Sequence, residues 1–133
     1  MTGDDPRSQP KPKTMTREIA QKDWPAFCRM ISDKYQGALV NVQVVNTRIE
    51  KIVENVPLLE LVLDEKNDAC SNRLTVATGT LQHEIVEPIR MILRKPAGHE
   101  QSDKFQALEI PAESGTTVVN FHPGIATEYL SGL

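Results

Sequence analysis

Between Tyr35 and Ala38 the hydrophobic period of the chain changes from 3.6 to 2, and few folds accommodate such a switch. Before it, Trp24, Phe27, Cys28, Ile31 and Tyr35 recur at i, i+3, i+4, i+7 and i+11, one apolar stripe of an amphipathic helix. Asp23 is placed to cap that helix, and Pro25 falls in the first turn, where no intrahelical N–H bond is lost. A short leading turn is expected around residues 17–21. Gly37 supplies the left-handed stop. From Ala38 to Val45 apolar and polar residues then alternate and β-branching rises, which predicts a strand with one buried face.

The rest of the chain keeps the strand period. Residues 48–53 (RIEKIV) read as a second strand folded back on the first. Leu58–Leu63 (LLELVL) is a strand or a short helix, because its β-branching is weak. Residues 73–78 form a strand, 81–94 a long strand interrupted at Pro88, and 105–110 and 116–121 a last pair turned by Ala112-Glu113-Ser114-Gly115. These connections are hairpin-sized and no strand–helix–strand spacing occurs, so a parallel nucleotide-binding sheet is not expected. The expected fold is α+β: one N-terminal amphipathic helix packed on a mainly antiparallel sheet of about six strands, open or curled toward a barrel. Its core should contain Trp24, Phe27, Ile31, Leu39, Val42, Val44, Leu74, Val76, Ile85, Ile89, Met91, Ile110, Val119 and Phe121.

At 133 residues there is room for one such domain, assigned here to residues 16–124. Residues 1–15 hold three of the nine prolines and almost nothing apolar, so they read as a disordered tail, and 125–133 as a C-terminal tail. The net charge of −3 disfavours nucleic acid as a bulk partner. A weak nucleic-acid contact through the basic N-terminal stretch (Lys11, Lys13, Arg17, Lys22) is the least favoured functional reading. No apolar run is long enough to span a bilayer and no apolar leader opens the chain, so no membrane partner and a cytoplasmic location are expected. Two cysteines, Cys28 and Cys70, make neither a disulfide framework nor a metal site alone.

His83-Glu84-Ile85-Val86-Glu87-Pro88 opens like the zinc-protease helix H-E-x-x-H but carries Glu in place of the second His. Pro88 is a poor neighbour for a continuing helix, and the flanks alternate like a strand. On a strand His83 and Glu87 share a face and Glu84 takes the other, which separates a three-ligand site. The metal reading therefore keeps His83, Glu84, Glu87 and a distant His122 only as secondary candidates, and no metal or cofactor is expected. The loop of Asp64, Glu65, Asn67 and Asp68 lacks the spacing of a calcium loop. His99 lies in a polar connection, and Ser114 has no nucleophile elbow around it. Arg90 and Arg94 share a strand face and are a possible anion contact.

The Thr16-Arg17-Glu18-Ile19 start, Trp24-x-x-Phe27, His83-x-Ile85-x-x-Pro88 and the closing Ser114-Gly115-Thr116-Thr117-Val118-Val119-Asn120-Phe121 together resemble a small bacterial domain family of unknown function over residues 15–123. That resemblance implies a bacterial, cytoplasmic, single-domain protein and carries no catalytic residue with it. With acid–base, nucleophile and phosphate signatures missing, the expected function is a non-catalytic binding or regulatory module. Its partner would be a protein taken along a sheet edge, or a second copy of the chain. A metal-dependent hydrolase around His83, Glu84 and Glu87 is the alternative.

Overall fold

The structure is a computed structural model that describes residues 15–64, 72–96, 98 and 101–133. The expected N-terminal tail, the acidic loop after Asp64, Cys70 and His99 lie outside the described residues, apart from Met15 and Asp64 at their borders. One helix, α1 (Trp24–Lys34), packs on an antiparallel sheet of eight strands. The strands are β1 (Met15–Glu18), β2 (Leu39–Val45), β3 (Ile49–Asp64), β4 (Arg73–Thr78), β5 (Gln82–Val86), β6 (Ile92–Lys95), β7 (Lys104–Ala112) and β8 (Gly115–Ala126). They lie in the order β1-β6-β7-β8-β2-β3-β4-β5. The sheet is open rather than closed into a barrel, with β1 and β5 as its two edges.

The helix forms as the apolar stripe requires: Trp24, Phe27, Cys28 and Ile31 are buried, and the Trp24 Nε1 donates to the Ile19 carbonyl at 3.0 Å. Asp23 stands at the cap position, but its side chain makes no capping bond; Pro25 in the first turn is what begins the helix. Gly37 has φ +90° and donates its N–H to Leu58 O, so the helix stop also starts the sheet. The leading turn expected over residues 17–21 is instead a strand followed by a short 3-10 turn (Gln21–Asp23). β1 pairs with β6, a partner more than seventy residues away, and no local pattern announces such a pairing.

The two segments RIEKIV and LLELVL are not separate strands. They are the halves of β3, which continues through Asn55 at φ 59°. Asn55 tolerates the left-handed region because its N–H is held by the Asn41 carboxamide at 2.6 Å, beside a register shift in the β2–β3 pair. The bend lets the first half of β3 pair with β2 and the second half with β4. The β4–β5 hairpin is thereby carried back over the inner face of β8, as the contact from His83 on β5 to Thr117 on β8 requires. Strand 81–94 likewise divides. Residue Glu87 takes φ 52° after β5, and the chain crosses to β6 on the far side of the sheet, with the Ile89 N–H on Pro111 O.

A single core gathers the inner faces of both strand groups and the helix stripe, with Phe27, Phe121, Ile31, Leu58, Leu74 and Leu108 fully buried. Two expected core residues are exposed instead: Leu39, at the start of β2, and Ile89, in the crossing segment, which is 61% exposed. Val44 is only partly buried. The segment assigned to the C-terminal tail contributes to the core, since β8 runs to Ala126 and Ile125 and Leu130 are both fully buried. Arg17 on β1 ties this end down by donating to the carbonyls of Leu130 and Leu133.

Candidate functional sites

The HEIVEP stretch is strand β5 up to Val86, and its polar groups diverge. His83 shares the inward face with buried Ile85, is half-buried, and its Nε2 lies 3.1 Å from Thr117 Oγ1. Burial pushes the imidazole below its ordinary 6.5, with Glu50 acting in the opposite sense. Glu84 is on the outward face and accepts from Arg73 at 3.3 Å, a cross-strand ion pair with both side chains half exposed. Glu87 is exposed in the crossing segment. His122 is exposed on β8 beyond Phe121, opposite Leu39 and five residues past the Thr117 that His83 meets. Among the described residues, no three His, Cys, Asp or Glu side chains stand together so as to hold a metal ion.

Arg90 and Arg94, the possible anion contacts, are both engaged by carboxylates. Arg90 forms a fork on Glu18, with Nη2 to Oε1 at 2.8 Å and Nε to Oε2 at 3.2 Å. The same hydrogen bond holds the Glu18 carboxyl below the usual carboxylate range. Arg94 forms a second, less exposed fork on Glu109, with Nε to Oε2 at 2.6 Å and Nη2 to Oε1 at 3.0 Å. Of the basic residues proposed for nucleic acid, Arg17 is spent on backbone carbonyls and Lys22 is exposed, while Lys11 and Lys13 lie outside the described residues. No described helix is long and apolar enough to cross a membrane.

The Arg94–Glu109 fork lies in a depression of about 260 Å³ on the outer face of the sheet. That face is the side of β6, β7, β8 and β2 turned away from the core, as the alternation of burial along each strand shows. Strand register builds it: Gln43 is opposite Val118, Asn120 is opposite Ala107, Ala107 is opposite Arg94, and Glu109 is opposite Val118. Gln106 and Pro96 complete the rim. The carboxamides of Gln43, Gln106 and Asn120 make no hydrogen bond within the described residues, whereas that of Asn41, on the same face of β2, is used to hold Asn55.

Sequence reading passed over this group, although a signal existed. Gln43 and Asn120 occupy outward positions in two strongly apolar strands, LVNVQVV and GTTVVNFHPGIA. An outward polar residue in a strand is ordinary, however, and only the neighbour relations of four strands bring these together.

The second candidate surface is the edge of β5. On one side it pairs with β4; on the other it has no strand neighbour among the described residues. Leu81, Val86 and Ile89 are exposed along this edge and in the segment leaving it.

The chain belongs to DUF5335, a family of unknown function, whose model matches residues 15–128. No curated protein and no solved structure matches it.

Proposed function

We propose that the protein is a small non-catalytic binding module that takes a protein partner along the free edge of β5. The observation that carries this reading is the edge itself: a row of backbone donors and acceptors that no described strand pairs, bordered by exposed Leu81, Val86 and Ile89. An added strand would satisfy the backbone groups and cover the three apolar side chains at once. The metal-dependent hydrolase reading has less support, because His83, Glu84 and Glu87 are directed to three different surroundings. A second copy of the chain is the simplest partner for such an edge.

Val86 is exposed, so Val86→Lys should leave the fold intact while placing a charge in the path of an incoming strand. The test is native mass spectrometry and sedimentation of the wild type and V86K, with amide hydrogen exchange across β5. The reading predicts an assembly, with itself or with an isolated partner, that protects β5 amides and is lost in V86K. Robust turnover in a hydrolase panel, abolished by His83→Ala, would overturn it.

A further inference from the structure

We propose that the depression on the outer face of β6, β7, β8 and β2 is a binding site for a neutral polyhydroxylated ligand, that is, a carbohydrate. This site is separate from the β5 edge and does not depend on it. Three observations converge. The first is the set of carboxamides on Gln43, Gln106 and Asn120, which come from three strands and surround one cavity. Each offers two N–H donors and a carbonyl acceptor, and none is used within the described residues. Polar groups positioned together without internal partners must take them from water or from a ligand.

The second observation concerns charge. Among the described residues the cavity contains one cation and one anion, Arg94 and Glu109, and each largely cancels the other through a two-bond fork. A phosphate would have to compete with Glu109 for the guanidinium, and a cationic ligand would have to compete with Arg94. A neutral ligand meets no such competitor. The fork nevertheless keeps unused acceptor capacity on the carboxylate, since each oxygen has a further lone pair. The site as a whole therefore presents both donors and acceptors to a ligand without net charge.

The third is the floor. Ala107 and Val118 are small or β-branched residues between the polar groups, and they leave a shallow apolar base. A pyranose has the matching layout, with hydroxyls around its edge that donate and accept at once and a C–H face that lies against apolar surface. Carboxamides address adjacent hydroxyls in this way, one atom donating and the other accepting. The described walls carry no aromatic ring, so stacking adds nothing and a single sugar unit should bind weakly, in the millimolar range.

The experiment is a titration of the full chain, uniformly labelled with nitrogen-15, followed through its side-chain amide resonances. The probes are glucose, N-acetylglucosamine, mannose and maltotriose, with inorganic phosphate as the charged comparison. The expected result is a saturable shift of the Gln43, Gln106 and Asn120 amides with at least one sugar and none with phosphate. Asn120→Leu and Gln43→Leu should each weaken that binding by about tenfold, the loss of one well-placed hydrogen bond. Both positions face outward, so a preserved backbone spectrum verifies folding, and Glu60→Gln, exposed on β3 and outside both proposed sites, serves as a folded variant that should bind like the wild type. The proposal is overturned by the absence of saturable shifts with every sugar. It is equally overturned by shifts that phosphate reproduces, or by sugar binding that survives in both leucine variants.

Discussion

The second half of β3 and the strand β5 both lie at the margin of the smaller strand group, and the protein treats them in opposite ways. β3 has β4 on one side, and on the other α1 covers it. Ser32 on the helix stands in for a neighbouring strand: its Oγ accepts from the Leu61 N–H at 2.9 Å and donates to the Leu61 carbonyl at 3.1 Å. β5 has no such cover among the described residues; Val86 is exposed on its outward face and Leu81 is exposed just before it. Its described inward polar tether to the main sheet is the His83–Thr117 hydrogen bond. An open edge is a hazard that soluble proteins ordinarily blunt. Here one flank is sealed by a helix and a hydroxyl, while the other remains available for pairing.

The largest way to break the contrast is to remove the seal. Phe27 is fully buried beneath α1, so Phe27→Ala should cost about 3–5 kcal/mol, read as a fall in the urea midpoint at unchanged slope. Ser32→Ala tests the seal without touching the core. It leaves the Leu61 N–H and carbonyl without their partner and should cost about 1–3 kcal/mol. In hydrogen exchange the same variant should speed the Leu61 amide far more than amides of β7 or β8.

The tether on the open flank makes a smaller prediction, and its sign follows from burial. His83 has its folded pKa below the unfolded one, so near and below 6.5 the unfolded chain binds the extra proton. Stability from this group is therefore fully present above pH 6.5, declines as the pH falls from there toward the folded pKa, and is constant below it. Urea midpoints measured across that range should show the slope in the wild type and lose it in His83→Gln. Smallest of all is Val86→Lys on the open edge, expected within about 0.5 kcal/mol of wild type in the isolated chain. A larger loss there would mean that the edge is already covered in solution.

Much of the architecture was legible because it rests on local periodicity. The apolar stripe of α1, the alternation of β2 and the turn at 113–114 between β7 and β8 all appear where residue spacing places them. The HEIVEP stretch was readable as a strand for the same reason. What could not be read was long-range pairing. β1 looked like part of a helical lead-in because four residues carry too little pattern, and its strand state is created by β6. β3 looked like two strands because Asn55-Val56-Pro57 resembles a stop, yet the Asn41 carboxamide holds the backbone through it. The candidate sites were less legible still. Gln43, Gln106, Asn120 and Glu109 are individually unremarkable surface residues, and Thr117 is one of several threonines.

Residue spacing is thus enough for the class of fold, the helix and its buried stripe, and the strand identity of most β segments. Those properties depend on neighbours within a few residues, where the periods 3.6 and 2 separate cleanly. Tertiary contacts alone make the described sheet eight strands wide and open, bring Ile125 and Leu130 into the core, and settle which polar side chains share a surface. These depend on register between distant strands, and a slip of a single residue would turn every one of those side chains to the opposite face.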